Sequence, residues 1–420
     1  MSQSNTLASG LKVGIVGGSI TGCAVATLLS RIGCEVTLFE RSGEELKDRG
    51  AGLGVPPSVI ETYIEHDLID ADIPYFRAGT FVRRWRTPTE AYRGYLAWDQ
   101  PTNVLLMNWG MLYRNLRRRV PNASYRTAQR VMRIDNRSDG AVVTLTDGVQ
   151  HIFDLVVCAD GYASLGRHYL FPEVIPRYAG YVLWRGALEE SALADAAVLE
   201  SGIHCLGYRS GHGIFYFVPN ADGSVARGTR LVNWGIYVPV SAAELPGFLT
   251  DTAGVVREGS LPPGAMPLAT ERALKDATHQ RLPSFYADLV ERCEHTFVYA
   301  IYDCEVPGYR VERVALAGDA AAFARPHSGA GALKGMNDAV ALADALRTDT
   351  SIDDALAEWN TARTASGNQL VRFGNQLGRA LVEEIPDWST MNAESMERWF
   401  TASVTIPTEM FHSPANVARE

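Results

Sequence analysis

The chain has no run of 18 apolar residues, so no segment is built to cross a membrane as a helix. It has no C-x-x-C pair. Its 6 cysteines, Cys23, Cys34, Cys158, Cys205, Cys293 and Cys304, are scattered, and three lie in or beside apolar stretches. That spacing supports neither a disulfide framework nor a zinc site, and the thiols read as reduced core residues. There are only 9 histidines, none paired with cysteines or acids at ligand spacing, so no metal is expected. Positive charge is in deficit: 39 Lys and Arg against 48 Asp and Glu leave a net charge of −9. This argues against nucleic acid or an anionic membrane as partner. Met1 to Gly10 lacks the basic and apolar regions of a secretory signal, which points to the cytoplasm. Internal repeats and low-complexity tracts are missing as well.

What remains is an ordinary globular composition, 46% apolar and 21% charged, over 420 residues. That length suits two interwoven domains, and a globule of this size buries about three-quarters of its unfolded surface.

The stretch from Val13 to Arg41 organises the chain. Lys12 to Val16 reads as a buried strand, Ile20 to Ile32 as a helix with small residues for close packing, and Cys34 to Phe39 as a second strand ending at Glu40. A strand, a glycine turn, a helix and a strand closed by an acid form the dinucleotide-binding fingerprint. Glycine lets backbone approach a pyrophosphate, and the helix N-terminus offers unpaired N–H groups. Gly17, Ser19, Ile20, Thr21 and Gly22 are the expected contacts, with Glu40 on the ribose and Arg41 beside it. The middle glycine of the fingerprint is Ser19, a departure from the pattern. A tight strand–helix turn without ligand would use the same glycines.

Further along, Gly50 to Pro57 reads as a glycine-rich loop, with Ser58 capping a helix over 59–67. Residues 109–120 read as a helix. Residues 124–135, 141–146 and 151–153 read as a meander, and 155–159 as a second buried strand before Asp160-Gly161. Residues 177–240, rich in Tyr, Trp, Val and Gly with strand alternation, suggest an antiparallel sheet in a second domain, with helices over 242–250 and 284–293. Strand character returns over 305–316, and helices follow over 331–346, 352–367 and the last fifty residues. The fold class expected is α/β: a Rossmann-like domain from 1–75, 106–176 and 301–350, interwoven with an antiparallel substrate domain from 76–105 and 177–300. Residues 351–420 form a C-terminal helical segment.

Two more motifs stand in order behind the first: Cys158-Ala159-Asp160-Gly161 running to Arg167, and Leu316-Ala317-Gly318-Asp319 running through Arg325-Pro326-His327 to Gly331. Together the three resemble the single-component FAD-dependent aromatic hydroxylases of the para-hydroxybenzoate hydroxylase type, over roughly residues 12 to 350. Residues Tyr178 to Gly186 and Arg325-Pro326-His327 look like the 2,6-dihydroxypyridine 3-monooxygenase branch of that family.

The resemblance implies one tightly held FAD. Gly318 and Asp319 would bond its ribitol or ribose, and Asp160-Gly161 would sit near the pyrophosphate. Pro326, Gly329, Ala330, Gly331 and Ala332 would border the ring, where a helix N-terminus favours the charge of reduced flavin. Asp319 could equally be a helix N-cap, or both. Many relatives carry an arginine at the start of the helix after residue 108, where this chain has Asn108-Trp109; Arg114 is not assigned to FAD. A single fingerprint leaves NADH or NADPH as a transient co-substrate. The implied reaction hydroxylates an electron-rich aromatic or N-heteroaromatic ring with O2 by way of a C4a-hydroperoxide. FAD carries the hard chemistry while the protein excludes water and positions the ring.

Candidates for handling the substrate are His327, Tyr216, His212 and Arg185, with Tyr208 and Asn233 beside them; packing roles are the alternative for each. Strand alternation puts Ile214, Tyr216 and Val218 on one face and Phe215 and Phe217 on the other. Which face meets the flavin is left open, as are the NADH or NADPH choice and monomer or homodimer. Two other functions fit the architecture: an FAD epoxidase or Baeyer–Villiger enzyme, and a flavin-fold binding protein without redox activity.

Overall fold

The computed structural model of the protein describes residues 7–44, 46, 52–347 and 351–404. Its first sheet runs in the order Arg310–Val311, Val314–Leu316, Leu155–Cys158, Lys12–Val16, Glu35–Phe39, Tyr125–Arg126. All its neighbours pair in parallel except the Arg310–Val311 hairpin with Val314–Leu316. Parallel strands are buried on both sides, which is why these segments read as unbroken apolar runs. Helix Ile20–Arg31 buries Cys23, Ala24, Val25, Ala26, Leu28 and Leu29 on this sheet. Gly22 permits that approach: a Cβ there would lie 1.9 Å from the Gly17 carbonyl oxygen.

The second sheet has nine strands, in the order Ser260–Leu261, Thr296–Asp303, Arg177–Glu189, Leu231–Pro239, Gly211–Val218, Gly202–Tyr208, Phe76–Trp85, Tyr95–Asn108, Gly52–Val55. It is antiparallel except where Gly202–Tyr208 runs parallel to Phe76–Trp85. One face packs Trp184, Trp234, Phe215 and Phe217 against helices Leu268–Arg281 and Ser284–Glu291. Trp184 and Trp234 meet edge to face, with centroids 5.0 Å apart, a favoured aromatic geometry. The opposite face, toward the first domain, is closed at one end by Phe373, Leu377, Leu381, Trp388 and Met396, packed around Cys205. A separate meander, Val131–Arg137, Gly140–Leu145 and Gln150–Phe153, completes the strands.

Several local expectations change. Gly52–Val55 is an edge strand rather than loop, because it finds Leu105 to Asn108 as a pairing partner; residues 50 and 51 lie outside the described residues. Its helix begins at Pro57 behind Pro56, so Ser58 is inside it and does not cap. Tyr125–Arg126 leaves the meander and joins the parallel sheet beside Leu38 and Phe39. Residues 305–316 break into a connection and two short strands, Arg310–Val311 and Val314–Leu316. The helix read as ending at Gly367 runs from Ile352 to Gly378 and widens into a π turn over Arg379–Glu383.

Candidate active site

The glycine turn, the ends of the parallel strands and helix Trp109–Arg117 enclose a cleft of about 500 Å³. Gly17, Gly18, Ser19, Glu40, Arg41, Trp109, Asp160 and Gly161 line it. Gly17 has φ +100°, a conformation that favours glycine. Ser19 occupies the N-cap position of helix Ile20–Arg31 without a side-chain cap, so Ile20, Thr21 and Gly22 present first-turn N–H groups. Glu40 is buried. One carboxylate oxygen accepts from the Gly18 N–H at 2.8 Å and the other from the Ser42 N–H at 2.7 Å. It therefore braces the turn and still has lone pairs for a ribose. Gly18 is a site residue the sequence reading passed over: a Cβ there would strike the Tyr125 hydroxyl at 2.3 Å. Asp160 accepts from Ser164 Oγ at 2.5 Å and from the Leu165 N–H at 2.7 Å. It holds the start of helix Leu165–Leu170 at the cleft wall, and burial pushes its carboxyl upward against those bonds.

Asp319 follows strand Val314–Leu316 in a 3₁₀ turn over Gly318–Ala320. Its side chain is reached by solvent, and desolvation by the surrounding protein raises its carboxyl pKa. A Cβ on Gly331 would come within 3.9 Å of its Oδ1, so the carboxylate faces the opening of helix Gly331–Leu346. The loop hangs on Asp338, a group not assigned from sequence. Asp338 accepts from the Gly318 N–H at 2.9 Å, Lys334 Nζ at 2.9 Å and Arg363 Nε at 2.7 Å. Burial works against the Lys334 ammonium, but Asp338 and Tyr309 outweigh it and hold the pKa above its usual range.

The flanking loop carries Pro326 and His327 in a 3₁₀ turn that ends at Gly329, φ +65°. Pro326, Gly329 and Gly331 are exposed and Ala332 partly so, while Ala330 is buried. The loop lies over the second sheet on the face of His212, Ile214 and Tyr216. His327 stacks on Tyr237 at 4.2 Å between centroids, and His212 stacks on Tyr237 at 4.5 Å. His327 Nε2 lies 2.8 Å from Tyr181 Oη, and Arg325 Nη1 donates to the same Tyr181 oxygen at 3.3 Å. Arg325 is itself tied to Asp303 and Glu383. Burial drives both imidazoles toward the neutral form: His212 to about 4, and His327 well below its ordinary value.

The other candidates converge on one peptide. Gly52 donates its N–H to Asn233 Oδ1 at 2.9 Å, and its carbonyl accepts from Tyr216 Oη at 2.9 Å and Arg185 Nη2 at 3.3 Å. Tyr216 and Arg185 therefore hold the edge strand to the substrate sheet. Asn233 Nδ2 and Arg185 Nε are buried and have no partner among the described residues. Tyr208 does not belong here. Strand alternation turns it to the opposite face, where it sits in the core and donates to the Tyr237 carbonyl. A wider cleft of about 840 Å³ lies beyond helix Trp109–Arg117, among Arg114, Arg117, Arg118, Asp70 and Asp222. None of the three motifs lines it, and Arg114 there donates to the Ala221 carbonyl at 2.7 Å.

A glycine turn on a parallel sheet, a Gly-Asp loop facing a helix start, and a second sheet closing over both define a two-domain flavoprotein. Three family descriptions match in succession: pyridine nucleotide-disulphide oxidoreductase over residues 12–52, FAD binding domain-like over 178–303 and FAD binding domain over 275–374. The chain is 26% identical to 2,6-dihydroxypyridine 3-monooxygenase of Paenarthrobacter nicotinovorans, over 85% of this chain and 88% of that one. It is 28% identical to salicylate hydroxylase of Pseudomonas putida, over 82% and 79%. The solved 2,6-dihydroxypyridine-3-hydroxylase from Arthrobacter nicotinovorans superposes with a TM-score of 0.82 at 25% identity, covering 89% of this chain and 93% of that one. A salicylate hydroxylase substrate complex shares the fold, with a TM-score of 0.76 at 20% identity over 98% of each chain. The chain is an FAD-dependent aromatic monooxygenase, similar in sequence and fold to the para-hydroxybenzoate hydroxylase-like aromatic hydroxylases. FAD is its cofactor and NAD(P)H its co-substrate.

Proposed function

We propose that this monooxygenase hydroxylates a hydroxylated nitrogen heterocycle, held flat on the sheet face that runs from Asn233 through Gly235 to Tyr237. The observation that carries this reading is the character of that face. Gly235 leaves a side-chain-free floor beside Leu183 and Ile214. Unpartnered donors stand at its two ends, Arg185 Nε and Asn233 Nδ2 at one and His327 Nδ1 at the other. Four residues of strand separate the ends by roughly 13 Å, enough for a small flat ring and its substituents. An aromatic-lined site with a few placed polar groups suits such a ring. The similarity to a dihydroxypyridine monooxygenase supports the nitrogen heterocycle over a carboxylated phenol.

FAD would lie with its nucleotide end along Gly17 to Gly22, Glu40, Arg41, Asp160 and Gly161, with Gly318 and Asp319 next. Its ring would lie against the loop Pro326 to Ala332. The cleft and the crowded Asp319 carboxylate fit that cofactor. When bound, FAD would supply the redox chemistry, hydride acceptance from NAD(P)H and activation of O2. The protein's share is positional: Tyr216, Arg185 and Asn233 fix the Gly52 strand, the stack of His212, Tyr237 and His327 sets one wall, and Leu381 and Trp388 help keep water out. The nucleotide and flavin residues, the domain boundaries, cytoplasmic location and a monomeric or homodimeric state all belong to this proposal. No helix among the described residues is long and apolar enough to span a membrane.

The test is NADH and NADPH oxidation across hydroxypyridines, phenols and fused polyketides, with mass analysis of products. Stimulated oxidation with a hydroxypyridine, and one oxygen added at a ring carbon, is the expected result. An epoxide or a ring-expanded lactone as sole product would reject it.

A further inference from the structure

The partners of the two neutral histidines assign their protons. His212 Nδ1 lies 3.1 Å from the Leu381 carbonyl oxygen, which can only accept. Nδ1 therefore carries the proton, and Nε2, with no hydrogen-bond partner among the described residues, keeps a lone pair. For His327 the argument passes through Tyr181. Arg325 can only donate to Tyr181 Oη, and the Tyr181 hydroxyl proton is then free for His327 Nε2 at 2.8 Å. The reverse arrangement, with His327 Nε2–H donating, would strand both the Tyr181 proton and the His327 Nδ1 lone pair. The first arrangement strands only one group, the Nδ1–H, and buried polar groups are rarely left unsatisfied. That nitrogen is buried and has no partner among the described residues.

Both rings thus carry their proton on Nδ1, yet they offer opposite functions. His212 presents an acceptor and His327 a donor, with ring centroids 5.3 Å apart. We infer that His212 and His327 form a recognition pair for a ring bearing a hydrogen-bond donor next to an acceptor, as in the N–H and C=O of a cyclic amide. The inference rests on the nitrogen-heterocycle reading above and adds the tautomer and orientation in which the ring is bound. Tyr181 and the Leu381 carbonyl are the positioning groups. They come from the substrate sheet and the C-terminal π turn, so the pair exists only when the two are packed together.

The test is equilibrium binding to the oxidised holoenzyme, followed by the change in flavin absorbance. The probes are 6-hydroxy-2-pyridone and its N-methyl derivative, which keeps the hydroxyl but lacks the ring N–H donor. The wild-type protein should bind the N-methyl compound at least about tenfold more weakly, the worth of one buried hydrogen bond left unmade. In His212→Ala that penalty should fall below about threefold, since the acceptor it depends on is gone. In His327→Ala and Tyr181→Phe both compounds should weaken while the penalty persists. Imidazole ¹⁵N shifts of the wild-type holoenzyme give a second reading that needs no variant, and should show Nδ1 protonated and Nε2 bare at both histidines. An unchanged penalty in His212→Ala, or a protonated Nε2 at either ring, overturns the pair while leaving the proposed reaction standing. If the parent pyridone neither binds nor is oxygenated while a phenol is, the nitrogen-heterocycle reading falls and the pair falls with it.

Discussion

Tyr216 donates its hydroxyl to the carbonyl of Gly52 at 2.9 Å, a residue 164 positions earlier in the chain. This bond, with those from Arg185 and to Asn233, sews the last strand of the nine-stranded sheet to its middle. It moves Tyr216 from a candidate for proton transfer to a residue that places backbone. Tyr216→Phe should therefore keep hydroxylation within about threefold of wild type and lower stability by about 0.5–1.5 kcal/mol, because Arg185 still serves the carbonyl. Product formation per bound FAD, with urea unfolding alongside, checks this. A hundredfold loss of product with FAD retained would restore a chemical role.

Asp319 and Asp338 stand in one unit but should fail differently. The bond the Asp319 residue makes to Arg167 uses its backbone carbonyl, so Asp319→Ala should leave the fold intact. It should weaken FAD binding by about 10- to 150-fold for each lost bond to the carboxylate. A full complement of FAD after dialysis and gel filtration would show the assignment to be wrong. Asp338→Ala leaves the buried Lys334 and Arg363 without their shared carboxylate, and should cost about 3–5 kcal/mol in the folded apoprotein. Denaturant unfolding of the FAD-free protein separates the two, and equal stabilities for both variants would contradict the hub.

Glu40 has a double task. It accepts from two backbone N–H groups and lines the nucleotide cleft. Glu40→Ala should weaken FAD and also lower apoprotein stability by about 1.5–3 kcal/mol, since each bond involves a charged acceptor. At saturating FAD, turnover should return close to normal. A large loss of turnover with FAD affinity unchanged would contradict that role.

Histidine burial predicts acid sensitivity. Burial lowers His204 to about 3 and His212 to about 4, from an ordinary 6.5. Between those values the unfolded chain binds protons that the folded one refuses, so stability rises with pH and falls as pH drops below 6.5. Each histidine contributes a slope of about 1.4 kcal/mol per pH unit across its window. Urea midpoints at pH 7, 6 and 5 should fall step by step, and His212→Asn should flatten the slope. A midpoint that stays level from pH 7 to pH 5 would refute the burial argument.

Much of the nucleotide half was legible in the sequence because its signals are local. Val13 to Glu40 encodes strand, turn, helix and strand through neighbouring residues, and the structure sets those elements side by side in register. Gly318-Asp319 and Asp160-Gly161 likewise mark ends of buried strands. The substrate half was legible only as strand-rich. Alternation separated Tyr216 from Phe215, but which face turned toward the loop at His327 depended on pairings among segments far apart in the chain. Gly52 reads as loop on its own, and becomes a strand only when Leu105 to Asn108 lies beside it. Asp338 shows locally only its i,i+4 pair with Lys334; the rest of its charge network is hidden, because Arg363 reaches it from the next helix. The sequence alone determined the class of cofactor-binding fold, through periodicity and turn chemistry within about thirty residues at a time. Tertiary packing decided which polar side chains are occupied in holding backbone and which are left with a free donor or lone pair. That depends on long-range hydrogen-bond partners, which no single segment contains.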